Sequence, residues 1–338
     1  MMDKDKSRME STMNNIPFFS IIIPTRNRPE LFEKALNSVI AQDFIDKEII
    51  VINDGSNDAL HMQYERIINR HSDGLQYVSL VHRDNGHGQS YSMNFGASIA
   101  SGDYLAFLDD DDEWTDPEHL SRVHQDICEQ KKRVDVYYSN QHAFFNDGQQ
   151  LKNSVWIEDL VGFLPKDQQP PYSVDAEFLL RSSGFAHLNC SIFNKEFYLS
   201  LGGMDENIRY ECDRDIFIRS IDQAALMLYQ PKVIARHHIP NKGNTNNMST
   251  SINEHEKRLY QLRVYEKGIL HCKNQAVKQL CITGKMYQLK FLAESFNKCH
   301  KRKTALLYAK QALSIDYSLK WHLFVIYLSF SNFIKKAA

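Results

Sequence analysis

The first hundred residues alternate apolar runs with segments of helical periodicity. Residues 18–24 (FFSIIIP) are apolar except for Ser20, the pattern of a strand buried on both faces. Residues 29–42 then place Leu31, Phe32, Ala35, Leu36 and Val39 at helical spacing, with Pro29 early, where a helix tolerates it. Residues 47–54 (KEIIVIND) predict a second strand and 58–70 a second helix. Two more strands are expected at 76–82 (QYVSLVH) and 104–108 (YLAFL), with a helix-like stretch at 90–100 between them. This alternation predicts an α/β fold, a Rossmann-like, mostly parallel sheet flanked by helices on both faces. Ligand sites of such sheets lie past the carboxyl ends of the strands, where Asp54 and Asp109 fall.

Beyond residue 134 the pattern changes. Strands without helices between them (VDVYYSNQHAFF) lead into a polar loop at 146–172, followed by a helix at 213–225 and a strand at 228–238. Residues 241–251 (NKGNTNNMSTS) are rich in Asn and poor in apolar side chains, the composition of a linker or a mobile active-site loop. From 252 onward the chain reads as helical. Residues 304–316 look like the second helix of a tetratricopeptide unit, but no repeat period accompanies them. Three parts are expected: a disordered tail over 1–15, an α/β domain over 16–250 and an α-helical region over 251–338. The tail lacks the apolar stretch of a secretory signal. The most apolar late run, 323–334, is short of the roughly 20 residues of a membrane span. A cytoplasmic, non-spanning protein is therefore expected.

Composition narrows the class. With 43% hydrophobic and 24% charged residues, the chain is close to the globular average, which excludes disordered, collagenous and disulfide-scaffold proteins. The six Cys form no Cys-x-x-Cys pair and read as reduced thiols, and the irregular spacing of His271, Cys272, Cys281, Cys299 and His300 argues against zinc. The net charge of −2 hides an asymmetry: residues 254–338 carry 16 Lys or Arg against 5 Asp or Glu, leaving 24 basic and 37 acidic residues in the first 253. A basic helical region is either a solvated Lys-bearing face or a surface for anionic lipid headgroups, where each Lys or Arg contributes about 1 kcal/mol.

The familiar nucleotide signatures are missing. No P-loop motif is present, and Gly86-His87-Gly88 lacks the third Gly of a dinucleotide fingerprint, so it reads as a tight turn. The chemistry is carried instead by Asp109-Asp110-Asp111-Asp112, at the end of an apolar strand. Like charges in series raise one another's pKa. Strand alternation sends Asp109 and Asp111 to one side and Asp110 and Asp112 to the other. Paired carboxylates at a strand end make a hard-oxygen site for Mg²⁺ or Mn²⁺, completed by substrate phosphates. An acidic turn capping the helix near Asp116-Pro117 is the plainer alternative, but capping needs one Asp rather than four.

Together, SIIIPTRNRPELFEKALNSVIAQ, EIIVINDGSND, GDYLAFLDDDDEW and LGGMDENIRYECDRDIFIR resemble, in order and spacing, the signatures of family 2 glycosyltransferases with the GT-A fold. The likeness runs from about residue 18 to 238. It implies a bacterial, inverting, metal-dependent enzyme that moves a sugar from a nucleotide-sugar, by default a UDP-sugar, to a hydroxyl. The acceptor implied is a glycan or lipid-linked glycan of cell-surface polysaccharide synthesis, such as lipopolysaccharide or capsule. Carried over residue by residue, Pro24, Thr25 and Arg26 form the first loop against the nucleotide and Asp54 accepts a hydrogen bond from the base. Asn94, Asp109 and Asp110 also belong to the donor site. Asp111 holds the Mn²⁺ or Mg²⁺, with His238 or His237 as a further ligand. Asp213 matches the catalytic base; Cys212 replaces the Glu usually before it, with Glu211 one residue earlier. Asp112 is a secondary candidate, and Trp114 and Trp156 are candidates for stacking on a sugar. The resemblance also gives the basic region a role, as a peripheral attachment to the anionic inner face of the cytoplasmic membrane through Trp321, Phe324, Tyr327, Phe330 and Phe333. The rival use of those aromatics is the core of a helical bundle that packs on the catalytic domain or dimerises, and the oligomeric state stays open. Two other functions stay open: a non-catalytic nucleotide- or glycan-binding protein, and a nucleotidyltransferase, although PTRNRPE lacks the Gly that the latter's first loop needs. No nucleic-acid reader accompanies the basic charge.

Overall fold

The computed structural model describes residues 16–71, 74–145, 147–152, 156–239 and 248–337. The expected tail over 1–15 and most of the Asn-rich 241–251 stretch lie outside the described residues. In chain order the elements are β1 (Phe19–Thr25), α1 (Pro29–Ile40), β2 (Lys47–Asn53), α2 (Asp58–Asn69), β3 (Leu75–Ser79), α3 (Gln89–Ile99), β4 (Tyr104–Phe107), β5 (Glu113–Trp114), α4 (His119–Cys128) and β6 (Val136–Phe145). They continue with β7 (Tyr172–Val174), α5 (Ala176–Leu179), β8 (Ser191–Asn194), α6 (Lys195–Ser200), α7 (Cys212–Gln223), β9 (Met227–Ile239) and α8 (Met248–Ser251). Four longer helices close the chain: α9 (Glu254–His271), α10 (Gln275–Lys298), α11 (Arg302–Ile315) and α12 (Leu319–Ala337).

Why the early strands read as unbroken apolar runs is visible in where each side chain goes. Ile22, Ile50, Ile52, Leu105 and Phe107 enter one core, while Phe19, Ile21, Ile23, Ile49, Val51 and Ala106 enter the other. Both faces of the sheet are covered, so alternation of direction produces no alternation of polarity. The strands stand in the order β3-β2-β1-β4-β8-β6-β9-β5, with β7 also on β9. β3, β2, β1 and β4 are parallel; β8 then runs antiparallel between β4 and β6. β6 and β9 are parallel, and the two-residue β5 returns antiparallel on β9, with Glu113 opposite Arg236. That short pairing matters for function, because it delivers the end of the acidic run to the histidines of β9.

The helical region shares a core with the sheet. Val264, Tyr265, Cys272, Val277 and Cys281 of α9, α10 and their connection pack in the same cluster as Ile216, Phe217 and Ile221 of α7. Lys267 of α9 reinforces the contact, 2.9 Å from both Asp205 and the buried Asp215. Farther out, Ala305, Ala309 and Ala312 of α11 lie against Leu289 and Ala293 of α10 and Trp321, Val325 and Leu328 of α12. Small side chains at that spacing let the helix backbones approach closely, and Trp321 Nε1 donates to the Ala309 carbonyl at 2.9 Å. Among the described residues no helix is long and apolar enough to cross a membrane.

One buried side chain couples the fold to pH. His119, at the start of α4, is 1% exposed, and neither ring nitrogen has a hydrogen-bond partner among the described residues. Burial, and after it the Arg122 charge, pushes its pKa down to about 3. The unfolded residue titrates near 6.5. The folded state therefore excludes a proton that the unfolded chain takes up, so the contribution is fully present above pH ~6.5 and is lost as pH falls from there toward 3. Between pH ~6.5 and ~5 the expected loss from this residue is about 2 kcal/mol. Urea denaturation of a His119→Leu protein across that range is expected to show a pH dependence shallower than wild type by that amount; identical slopes would rule the coupling out.

Candidate functional site

A cleft of about 1080 Å³ opens past the carboxyl ends of β1, β2 and β4, facing the amino end of α7. Its walls include Pro24, Thr25, Arg26 and Arg28 from the β1 loop, Asp54 after β2, Asp109, Asp110 and Asp111 after β4, and Glu211, Cys212 and Asp213 at α7. Trp156, His187 and His237 close another side.

The acidic run does not continue the strand. β4 ends at Phe107 and the chain turns, with Asp112 N donating to the Asp109 carbonyl at 3.1 Å. The two-sided alternation expected from the sequence is lost as a result. Asp110 turns toward the β1 loop, accepting from Thr25 Oγ1 at 2.7 Å and from Arg26 N at 3.3 Å and pairing with Arg28. The carboxylates of Asp109, Asp111 and Asp112 converge, with one oxygen of each within 4.8 Å of the others. Arg28 Nη1 also reaches Asp111 at 2.9 Å. Asn189, which the sequence did not single out, clamps the turn from beneath: its Oδ1 accepts from Asp109 N at 3.0 Å and its Nδ2 donates to Asp112 at 2.5 Å. Trp114 in turn donates from Nε1 to the Asn189 carbonyl at 2.9 Å. Trp114, expected as a candidate for stacking on a sugar, lies outside the cleft lining and supports Asn189; both tryptophans are buried, and Trp156 lines the cleft.

The two adjacent histidines part company. His237 Nδ1 lies 2.7 Å from Asp112 Oδ2 and its ring faces the cleft, edge-on to Trp156 at 5.0 Å. His238 lies outside the lining, with Nδ1 2.7 Å from the Asp111 carbonyl and its backbone N–H donating to Asp112. A carboxylate on one imidazole nitrogen fixes the ring and leaves the other nitrogen for a metal, the carboxylate–histidine arrangement of metal sites.

Asp213 has a partner that sequence reasoning missed. His187 Nε2 lies 3.1 Å from Asp213 Oδ2 and 3.9 Å from Asp109 Oδ2. His187 Nδ1 accepts from the Asn189 backbone N–H, and burial, followed by the His237 charge, pushes its pKa down to about 3. With Nδ1 occupied as an acceptor, a neutral ring carries its proton on Nε2 and donates it to Asp213. Asp213 is thereby oriented, while burial and then the nearby Glu211 charge push its own pKa up to about 7, against the opposing contact from Cys212. No periodicity marks the 187–189 segment, so nothing in the sequence pointed to it.

Other expected residues are placed as supports. Asp54 accepts from His87 N at 2.8 Å, Gly88 N at 2.9 Å and His87 Nδ1 at 2.8 Å, folding the 83–88 loop onto the end of β2. Gly86 makes this possible: it has φ +63°, and a Cβ there would sit 2.5 Å from Asp54 Oδ2. Arg26 ties the same loop down through the Arg83 and Asp84 carbonyls. Glu211, at φ 64°, lines the cleft but is engaged by Arg214 and by Gln261 Nε2 at 2.8 Å, which links α7 to α9. Asn94, expected in the donor site, lies outside the cleft lining. Both ends of its amide bind the 203–206 turn, accepting from Met204 N at 2.8 Å and donating to the Met204 carbonyl and Glu206, where Gly203 at φ +65° leaves room for it.

The site suits a divalent cation on its own electrostatics. Burial, and then Asp213, Asp112 and Asp111, pushes the Asp109 pKa well up. Burial opposes a charge on His237, yet Asp112, Asp111 and Asp109 outweigh it and hold its pKa up at about 9. A pocket that raises carboxylates and an imidazole together is short of positive charge, and its oxygen donors with one free imidazole nitrogen fit Mn²⁺ or Mg²⁺. Among the described residues the groups with this density of ligands are Asp109–Asp111–Asp112 and Asp112–His187–His237, which share Asp112.

The sequence profile of glycosyl transferase family 2 matches residues 20–199. A Campylobacter jejuni protein named GalNAc(5)-diNAcBac-PP-undecaprenol beta-1,3-glucosyltransferase is 39% identical over 98 residues, 29% of this chain and 31% of that one. The matched stretch thus spans about a third of that relative. The structure of Staphylococcus aureus TarS 1–349 in complex with UDP-GlcNAc superposes with a TM-score of 0.59 at 17% identity, covering 92% of this chain and 79% of that one. The mannosyltransferase PcManGT from Pyrobaculum calidifontis, in complex with GDP-Man and Mn²⁺, superposes at 0.55 and 18% identity, covering 92% and 79%.

Proposed function

Because the chain belongs to glycosyl transferase family 2, we propose that it transfers one sugar from a nucleotide-sugar, a UDP-sugar, to a hydroxyl of a lipid-linked glycan with inversion at the anomeric carbon. The observation that carries this reading is the Asp213–His187 pair at 3.1 Å, set beside the Asp109–Asp112 turn in one cleft. Asp213 is the base: its carboxylate takes the proton of the acceptor hydroxyl as that oxygen bonds to the anomeric carbon and the bond to the diphosphate breaks. One carboxylate acting as base, with no covalent intermediate, makes a single displacement. His187 positions Asp213 by holding Oδ2, and Cys212 Sγ contacts Oδ1 at 3.6 Å.

Asp111 and His237, with Asp109 and Asp112 around them, would hold Mn²⁺ or Mg²⁺, which when bound supplies Lewis-acid stabilisation of the departing nucleoside diphosphate. Arg28 keeps the cluster folded by pairing with Asp110 and Asp111. The β1 loop (Pro24, Thr25, Arg26) and Asp54 with its 83–88 loop form the nucleotide end of the cleft, and Trp156 supplies an apolar wall for a sugar ring. TarS with UDP-GlcNAc supports the donor class, and the C. jejuni relative's name, which specifies an undecaprenol-linked acceptor, supports the acceptor class. Such acceptors belong to cell-surface polysaccharide synthesis, and we place the enzyme at the cytoplasmic face of the membrane as a peripheral protein.

Thermal shifts with UDP, GDP, dTDP and CMP, each with and without Mn²⁺, test the donor class. A nucleotide at about 100 times its Kd adds about 2.7 kcal/mol of stability. UDP with Mn²⁺ is expected to give the largest shift. A larger shift with GDP would reassign the donor, and no shift in any combination would favour a fold without the activity.

A further inference from the structure

Helix α12 is apolar on two opposite faces, and the fold covers one of them. Trp321, Val325 and Leu328 pack on α11. On the other side Leu319, Leu323, Ile326, Tyr327 and Phe330 recur at helical spacing and are exposed, Leu323 at 56% and Phe330 at 68%. An exposed row of large apolar side chains on one helix face calls for a covering. Tyr317 just before α12 and Leu307 on α11 are exposed as well, and the exposed Lys303 and Lys310 share the stripe of α11 that carries Leu307.

Charge decides what covers it. Residues 301–338 contain seven Lys or Arg and a single acid, Asp316, and α12 itself has no Asp or Glu. Two copies meeting through this face would bring like charge against like charge in an isologous contact. An anionic bilayer instead offers hydrocarbon for the Leu, Ile and Phe side chains, an interfacial layer for Tyr, and phosphate for the lysines. At the same time α12 is not long and apolar enough to span.

We propose that the exposed face of α12, within a helical end of the chain that is strongly basic, is a docking surface that lies flat on an anionic lipid bilayer. This deepens the membrane placement proposed above, and none of its residues lines the cleft, so lipid binding and nucleotide binding fail separately. The test is flotation of the full chain with vesicles of phosphatidylcholine alone and of an equal mixture of phosphatidylcholine and phosphatidylglycerol, at low and at high salt. Binding is expected only to the mixed vesicles and is expected to weaken with salt. The Leu323→Glu/Phe330→Glu protein is expected to lose at least about tenfold in vesicle affinity. Its melting temperature and nucleotide-induced shift should match wild type, since both side chains already face solvent. A milder Leu323→Ser variant, with an intermediate loss expected, guards against misfolding of the double variant. Equal binding to neutral vesicles, no binding to either kind, or a dimer in sedimentation velocity that the double variant abolishes would each overturn the proposal.

Discussion

Asp213→Asn is expected to lower kcat by about 10²–10⁴-fold, the usual contribution of a positioned general base, while donor affinity stays close to wild type. The isosteric amide keeps the shape of the site and still accepts from His187 Nε2, so the loss reports the missing base rather than a collapsed cleft. Stability should not fall. A buried carboxyl whose pKa is pushed up to about 7 is an unfavourable place for a charge, and removing it relieves that cost. Single-turnover kinetics at saturating donor, with a melting curve of the same preparation, check both halves. Activity within a few-fold of wild type would move the base elsewhere.

Asp111→Asn is expected to have an effect of similar size by a different route. Asp111 would hold the cation that supplies Lewis-acid stabilisation to the departing diphosphate, and a site unable to hold it would lose several kcal/mol of transition-state stabilisation, on the order of 10³-fold in rate. Arg28 retains its pairing with Asp110, so the turn keeps its anchor to the β1 loop. A readout independent of turnover is available in Trp156, which lies edge-on to His237 at 5.0 Å. Titration with Mn²⁺ should quench tryptophan fluorescence in wild type and require far higher metal in the variant. Equal titrations would remove Asp111 from the metal site.

Much of the fold was legible because one physical rule produced it. Residues 21–24 and 49–52 are apolar without alternation since both sheet faces are covered, and the helical spacing of Phe32, Ala35, Leu36 and Val39 follows from burying one stripe of α1. β5, β7 and β8 were not legible: strands of two to four residues carry too little pattern to stand out.

The candidate site divides along the same line. That carboxylates gather past β4, and that Asp213 opens a helix, followed from local sequence, because each depends on where one element ends; that the two meet at one cleft was implied by the family resemblance alone. Which carboxylate faces which neighbour did not follow. The chain turns after Phe107, so a period-two rule stops applying at the residues where it was needed. His237 was separated from His238 only by the register of β5 on β9, and Asn94 and Trp114 were assigned to support only by the hydrogen bonds they make. His187 and Asn189 reach the site from about 80 residues beyond the acidic turn, in a segment without periodicity. By itself the sequence determined the sheet, the stripe each helix buries and the chemistry present at the strand ends, since burial of neighbouring side chains is a local constraint. Only the tertiary structure decided which donors converge and which proton sits on which nitrogen, since those depend on contacts between segments that chain order does not relate.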